Sequence, residues 1–196
     1  MLVQKYSLAS YITSIAYTQN THGGHMSKKK ATAKANFEKT SRKDALVVGA
    51  KLSQALWPLC KVVTLVGSIR QGKDMIGDID IVVIPNIEPG EFLEQCKSII
   101  EYEYGGKKKI FGMFMDRPIN IFVTDESGYG ACTYQMTGPA KYNIRMRMVA
   151  KKKGFRLNEY GLYDRESSEY VAGATERSIF EALGLEYKAP IKRKAS

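Results

Sequence analysis

One stretch of the chain, Gly67 to Val82, reads GSIRQGKDMIGDIDIV and constrains the fold more than any other segment. Short β-branched runs at Val62–Val66 and Ile79–Ile84 predict two adjacent strands joined by a glycine-rich loop. Asp78 and Asp80 are two positions apart at the start of the second strand. Because side chains alternate along a strand, both carboxylates lie on one face and the isoleucines beside them are buried on the other.

The polar residues of this stretch indicate a phosphate and metal site. Two carboxylates this close repel each other, and a divalent cation such as Mg²⁺ is the simplest partner that stabilises them. Gly67 and Ser68, eleven residues before the carboxylates, can offer a backbone N–H and a hydroxyl to a phosphate, and Arg70 and Lys73 add positive charge. An isolated DxD pair is usually a solvated turn, but together these groups favour a nucleoside triphosphate held at a two-metal site.

The rest of the first half predicts an α+β fold with a mixed or antiparallel sheet flanked by helices. The β–β–α–β–β succession excludes a doubly wound parallel sheet. The elements are a helix capped by Asp44 and ended by Trp57-Pro58, a helix opened by Pro89-Gly90, and a hairpin with strands Ile110–Met115 and Ile119–Val123 that turns at Asp116-Arg117-Pro118.

The second half predicts a smaller α/β subdomain. Pro139–Lys153 is typical of a strongly basic helix that Gly154 ends, and Thr175–Leu183 of an amphipathic helix that Thr175 caps. We therefore expect a catalytic subdomain at 44–125 and a C-terminal subdomain at 126–196 that ends in a basic tail, Lys192-Arg193-Lys194.

Residues 1–43 differ in composition from the rest of the chain. We expect residues 1–25 to be a leader or an added extension, with Met26 as the working start, and residues 26–43 to be a basic, disordered arm. Such an arm is either a solubilising tail or a segment that follows the phosphates of a polyanionic partner. Both histidines of the chain, His22 and His25, fall before the arm, so without this extension no histidine is available for catalysis.

Composition restricts the partners and the cellular compartment that we expect for the chain. Thirty Lys and Arg against twenty Asp and Glu give a formal charge of +10, which favours a polyanionic partner. The apolar runs are too short for a membrane-spanning helix. Cys60, Cys96 and Cys132 are an odd number of well-separated cysteines and indicate neither a disulfide framework nor a zinc site. We expect a reducing intracellular compartment rather than secretion.

The GS…GDxD arrangement resembles the nucleotidyltransferase superfamily, and its form here is similar to the family X DNA polymerases of the DNA polymerase beta-like type. Two later segments, YQMTGP…YNIRMR at 134–147 and KGFRLNEYGL at 153–162, are similar to that family's YFTGS, N, R and KGF-x-(I/L)-NEY series in order and spacing. The resemblance covers roughly residues 44–190. It implies a nucleotidyltransferase palm and a thumb-like subdomain without an amino-terminal lyase domain, as in the minimal polymerases of some large DNA viruses. The same likeness implies a cytoplasmic or virion-associated location.

The resemblance implies roles for the residues of the first motif. Asp78 and Asp80 would bind two Mg²⁺ ions, for which Mn²⁺ can substitute. Gly67, Ser68 and Arg70 would hold the β- and γ-phosphates of a dNTP. Lys73 would add charge to this phosphate site, and Gly77 would allow a close backbone approach.

The second motif would bind the rest of the nucleotide and the DNA. Tyr134 would lie against the sugar, Gly138 would precede a cis-proline, Asn143 would reach the minor-groove edge of the base, and Arg147 would contact the template. Each has an ordinary alternative: a core aromatic for Tyr134, a polar surface residue for Asn143, a solvated charge for Arg147. The DNA-binding residues expected on the basic helix are Lys141, Arg145, Arg147, Lys151 and Lys152.

Three positions depart from the family pattern. Gln71 replaces a second loop arginine and Gln135 replaces an aromatic residue. Most seriously, Asn120 stands where the family has its third catalytic, metal-binding aspartate, and an amide is neutral and cannot act as a base near neutral pH. Three explanations are open: an aspartate deliberately replaced by asparagine, a natural variant that uses Asp116 or Asp125, or an inactive DNA-binding relative.

The resulting hypothesis is a monomeric, template-directed DNA polymerase that fills short gaps during DNA repair, with gapped or primer-template DNA and dNTPs as partners. The alternatives are a template-independent nucleotidyltransferase and a catalytically inactive protein that binds DNA gaps.

The basic composition makes a first prediction. DNA binding should weaken steeply as salt rises from roughly 50 to 200 mM, because each neutralised phosphate releases counterions. Fluorescence anisotropy of a labelled gapped DNA measures this dependence, and an affinity that does not change over that range would contradict the assignment of a polyanionic partner.

Overall fold

The computed structural model describes residues 37–193 of the chain. The predicted leader, both histidines, most of the basic arm and Lys194 of the basic tail lie outside the described residues.

The described residues form six α-helices and ten strands, numbered here in chain order. The helices are α1 (Arg42–Leu56), α2 (Gly67–Arg70), α3 (Pro89–Ile99), α4 (Tyr129–Thr137), α5 (Ala140–Lys152) and α6 (Glu176–Ala182). The strands are β1 (Thr40–Ser41), β2 (Cys60–Leu65), β3 (Met75–Ile76), β4 (Ile79–Pro85), β5 (Glu101–Gly105), β6 (Lys109–Phe114), β7 (Arg117–Val123), β8 (Phe155–Asn158), β9 (Gly161–Asp164) and β10 (Tyr170–Ala172).

Five strands form the main sheet in the order β2-β4-β7-β6-β5. Strands β4 and β7 are parallel, and the other neighbours are antiparallel. The α+β class and the mixed sheet flanked by helices are therefore confirmed. One face of the sheet packs on apolar residues of α1 and α3 and forms the larger hydrophobic core. On the opposite face, Val82 and Phe122 pack near Cys132 of α4.

The smaller sheet has the order β10-β9-β8 and is antiparallel throughout. Residues of α4, α5 and α6 pack with it in a second hydrophobic core. The predicted basic helix and the predicted cap are both confirmed, because α5 spans Ala140–Lys152 and the Thr175 hydroxyl accepts a hydrogen bond from the Ser178 backbone N–H at 3.0 Å.

Several sequence predictions are wrong in detail. Helix α1 begins at Arg42, and its N-cap is Ser41 rather than Asp44. The Ser41 hydroxyl accepts from the Asp44 backbone N–H at 3.1 Å and donates to the Asp44 carboxylate at 2.6 Å. Asp44 is thus the third helical residue of a capping arrangement, where an acidic side chain also favours the helix dipole.

The predicted glycine-rich loop after β2 contains the single-turn helix α2 and the short strand β3, which pairs with β1. The predicted hairpin turns at Met115 and Asp116, both with positive φ (51° and 57°), so Arg117 and Pro118 belong to β7. The elements that were not predicted include the strands β1, β3, β8, β9 and β10. They also include β5, whose sequence EYEYG lacks an apolar run, and α4, whose sequence is rich in residues of low helix propensity.

No helix within residues 37–193 is long and apolar enough to cross a membrane.

Candidate active site

The parallel pairing of β4 with β7 brings three of the predicted site residues together. Asp80 and Asn120 are register partners in this pair. The Asn120 side-chain amide donates hydrogen bonds to the Asp80 carboxylate at 2.7 Å and to the Asp78 carboxylate at 3.2 Å. One neutral amide therefore bridges two carboxylates that would otherwise repel each other.

Neither aspartate considered as a replacement lies at this position. Asp116 is in the hairpin turn four residues before Asn120, and Asp125 follows the strand end by two residues. At ~3.3 Å per strand residue, both aspartates are more than about 10 Å along the chain from Asn120. The Asp125 carboxylate is already satisfied. Hydrogen bonds from the Ser127 hydroxyl and the Gly128 backbone N–H hold its pKa below the ordinary value of 3.8.

The donor set at Asp78 and Asp80 fits a hard divalent cation. Mg²⁺ in proteins typically takes one or two carboxylates and completes its shell with water and substrate phosphates. Asn120 adds no negative charge, and it directs its amide N–H at the two carboxylates. Among residues 37–193, no group of three or more His, Cys, Asp and Glu side chains could hold a metal ion.

Gly67 is required by the close approach of α2 to Asp80. Its φ is +58°, in the region that favours glycine, and a Cβ atom there would lie 2.0 Å from Asp80 Oδ2. Any larger residue would displace the carboxylate. The glycine of the Gly-Ser pair therefore serves the position of Asp80 directly, whatever else it binds.

A cleft of about 310 Å³ lies beside Asp80. Helix α2 contributes one wall, and the turn between α4 and α5 with the first turns of α5 contributes the other. The lining residues are Gly67, Ser68, Gln71, Asp80, Gln135, Met136, Thr137, Gly138, Pro139, Ala140, Asn143, Ile144 and Arg147.

Three predicted site residues, Gly138, Asn143 and Arg147, lie in this cleft on the second wall. The Gly138–Pro139 peptide bond is cis, as the resemblance implies. Asn143 is buried; its amide N–H donates to the Gln135 carbonyl at 2.8 Å, and its Oδ1 has no hydrogen-bond partner among the described residues. Arg147 is exposed and donates to the Gln135 side-chain carbonyl at 3.4 Å.

The prediction for Tyr134 is wrong. Its side chain is fully buried in the second core, where its ring contacts Tyr142 and Phe180 and lies under the Arg193 guanidinium. Burial raises the pKa of its hydroxyl. Successive residues of a helix are rotated by ~100°, so the neighbouring Gln135 and not Tyr134 faces the cleft.

The prediction for Arg70 is also wrong, because its guanidinium is engaged by the protein. It donates to both oxygens of Glu176, at 2.9 and 2.6 Å, and to the Thr137 hydroxyl at 2.9 Å. Glu176 is buried and needs compensating charge, which explains the bidentate pair. Lys73 and Gly77 are likewise outside the cleft lining.

Arg193 of the predicted basic tail is also engaged by Glu176. Its side chain is fully buried and donates to the Glu176 carboxylate at 2.9 Å, so it is not a surface cation. Glu176 was missed by sequence reasoning. The sequence feature that could have identified Glu176 is a charged residue on the apolar face of the amphipathic helix α6.

The predicted DNA-binding residues form an exposed basic face on α5. Lys141, Arg145, Arg147, Lys151 and Lys152 are all exposed, whereas Tyr142, Met146 and Ala150 of the same helix are buried. One side of α5 thus packs on the second core, and the other presents cations next to the cleft.

Comparison with known proteins connects this geometry to a family. Residues 132–194 match the family model described as DNA polymerase beta thumb. The chain is 30% identical over 158 residues to the repair DNA polymerase X of African swine fever virus, which covers 69% of this chain and 83% of that protein. It is 28% identical to the DNA polymerase lambda of Rattus norvegicus, over 65% of this chain and 28% of that protein.

A solved structure shares the fold. The ternary P/T complex of Leishmania infantum polymerase beta superimposes with a TM-score of 0.72 at 18% sequence identity, and covers 97% of this chain and 89% of that chain.

The Glu176 cluster makes a prediction for stability. Burial alone would raise the pKa of Glu176, but the hydrogen bond from Arg70 and the charge of Arg193 outweigh it and hold the pKa below its ordinary value of 4.5. Glu176→Gln should lower the free energy of unfolding by roughly 3–5 kcal/mol at pH 7, because the buried guanidinium of Arg193 and the partly buried guanidinium of Arg70 lose their counter-charge.

The depressed pKa of Glu176 gives this loss a pH dependence. A lowered folded-state pKa stabilises the protein above the unfolded pKa, and that contribution is lost as the pH falls through the folded value. Urea unfolding should therefore show that the difference in unfolding free energy between the unmodified chain and Glu176→Gln becomes smaller below about pH 4.5. The control is Glu181→Gln, an exposed glutamate of the same helix, which should change stability by less than about 0.5 kcal/mol. Equal effects of the two substitutions would contradict the buried cluster.

Proposed function

The chain belongs to the family X DNA polymerases and is a DNA-directed DNA polymerase of the repair type, and from this premise we propose that it fills short gaps in DNA by adding a template-directed nucleotide to a primer 3′-hydroxyl. The observation that carries the proposal is the cluster of Asp78, Asp80 and Asn120 beside a cleft that also contains Ser68 and Asn143.

In this proposal Asp78 and Asp80 hold Mg²⁺, two ions in the family mechanism, and Mn²⁺ can substitute. The chemistry that divalent cations supply at such a site is neutralisation of phosphate charge and a lowered pKa of the attacking hydroxyl. The protein itself contributes the positions of the groups that would hold the cations. Asp80 in β4 and Asp78 just before the strand lie within reach of the same Asn120 amide, and Gly67 allows the wall of the cleft to approach Asp80.

The cleft accommodates a dNTP between its two walls. The Ser68 hydroxyl and the backbone N–H groups at the start of α2 face the triphosphate, while Arg147 supplies the positive charge of the cleft lining. Asn143 faces the base. The support for its role is the buried Oδ1, which has no partner among the described residues, in a side chain that lines the cleft.

Arg70 acts on the nucleotide site through the protein rather than by direct contact. Its pair with Glu176 connects α2, which carries Ser68, to α6, and its bond to Thr137 reaches the turn that carries Gly138. We assign Arg70 to positioning of the two cleft walls.

DNA would lie against the basic face of α5. Lys141, Arg145, Lys151 and Lys152 offer phosphate contacts, and Arg147 lies where α5 meets the cleft and can reach the template beside the new pair. The two hydrophobic cores support a palm at 44–125 and a thumb-like subdomain at 126–196. We propose that the protein works as a monomer on gapped or primer-template DNA.

The proposal extends to a reducing intracellular compartment. Cys60, Cys96 and Cys132 are unpaired and buried, and burial raises the pKa of each thiol to about 12. Such thiols are protonated and unreactive, which suits a protein that is not stabilised by disulfides.

Asn120 limits the chemical step. Its amide cannot accept the proton of the primer hydroxyl, and its N–H group donates a hydrogen bond to each of the two carboxylates. The same observation favours a second candidate function, a DNA-gap-binding protein without catalysis.

Single-nucleotide insertion on a one-nucleotide-gapped DNA with Mg²⁺ separates these functions. We predict that Asn120→Asp inserts the nucleotide complementary to the template at least 100-fold faster than the unmodified chain, since general-base catalysis contributes about 10²–10⁴-fold. Asp78→Ala in the Asn120→Asp background is the matched inactive control.

Each other outcome has a definite meaning. Gap binding without insertion by either form, in Mg²⁺ or Mn²⁺, would replace the polymerase with the gap-binding function. Insertion that ignores the template base would instead support a template-independent nucleotidyltransferase.

A further inference from the structure

The row of site residues continues beyond Asn120 across the main sheet. Asn120 is the register partner of Phe111 in β6, and Phe111 is the register partner of Tyr104 in β5. Directly opposed residues of neighbouring strands share a face. Asp80, Asn120, Phe111 and Tyr104 therefore form one line across four adjacent strands, on the face opposite the larger core.

The two aromatic rings of this line form a stacked pair, the aromatic step. Phe111 and Tyr104 are stacked, with ring centroids 4.6 Å apart and an angle of 18° between the planes. The edge-on contact of Phe111 with Phe122, at 6.5 Å and 87°, supports the stack from the neighbouring strand. Tyr104 is nonetheless 56% exposed, so much of this aromatic surface is open to solvent.

The step lies on the other side of the carboxylates from the nucleotide cleft. The cleft is lined by α2, by Asp80 of β4, and by α4, α5 and the turn between them; β5, β6 and β7 contribute nothing to it. With strands ~4.8 Å apart, Phe111 is one strand beyond Asn120 and Tyr104 two.

We infer that Phe111 and Tyr104 are the platform on which the last nucleotides of the primer strand lie, an inference that rests on the proposed function. In phosphoryl transfer the attacking and leaving oxygens are roughly in line, so the primer must reach the carboxylates from the side opposite the triphosphate. That side is the aromatic step. The primer bases are paired with the template, so the rings would pack against the sugars of the primer strand, a contact that does not depend on sequence.

The test compares binding to two DNAs that differ only in the primer. One is a one-nucleotide-gapped DNA, and the other has the same template and downstream strands without the primer. Tyr104→Ala in the full chain should raise the Kd for the gapped DNA about tenfold and change the Kd for the second DNA less than about twofold, because one packing contact with the primer sugars is lost. Tyr104→Phe, which keeps the ring, should bind both DNAs like the unmodified chain.

Two further variants control for structure. Trp57→Ala removes another exposed aromatic side chain, 61% exposed and near the Cys60–Pro85 end of the β2–β4 pair, away from Asp80, and should affect neither DNA. Circular dichroism shows whether Tyr104→Ala is folded; if it is not, Phe111→Leu, which keeps an apolar side chain on the strand, takes its place with the same expected loss.

If Tyr104→Ala weakened binding to both DNAs equally, or to neither, the inference that Phe111 and Tyr104 contact the primer strand would be wrong. The proposed function is judged separately by insertion with Asn120→Asp. If that variant inserts nucleotides while Tyr104→Ala binds the gapped DNA normally, the polymerase stands and the platform is wrong. If that variant inserts nothing but the primer-dependent loss is present, the platform stands as a gap-binding surface.

Discussion

The parallel pairing of β4 with β7 is the constraint on which the site depends. It places Asp80 beside Asn120 in register, and the period of β4 adds Asp78 to the same face. The opposite side of both strands is filled by the buried Ile79, Ile81 and Ile119 and their neighbours in the larger core. A slip of one residue would exchange the polar and apolar faces, so the core that stabilises the sheet also fixes the carboxylates.

A second interaction joins the cleft walls. Glu176 accepts hydrogen bonds from Arg70 and Arg193 while almost fully buried, and Tyr187 also donates to it. Such a cluster contributes little net stability compared with apolar packing, but removing one member leaves uncompensated charge. Its value is therefore geometric, because it holds α2 and the turn at Thr137 in one arrangement.

Local patterns in the sequence were sufficient for part of this account. Alternation along β4 placed Asp78 and Asp80 together, and the apolar runs located most strands of the main sheet. Nothing local distinguishes Tyr134 from Gln135, since a single helical step of ~100° decides which one faces the cleft. Arg70 could not be assigned either, because its partner Glu176 is 106 residues away and becomes a neighbour only in the folded chain.

We propose that Asp78 and Asp80 form a divalent-cation site in which Asn120 occupies the place of a third carboxylate. Electron paramagnetic resonance of Mn²⁺ titrated into the protein with a bound dNTP tests this arrangement without requiring turnover. Asn120→Asp should bind Mn²⁺ more tightly, by about tenfold or more for the added charge, and Asp80→Asn should lose binding. Equal Mn²⁺ affinity in the unmodified chain and the Asn120→Asp variant would show that residue 120 is not at a metal-ligand position.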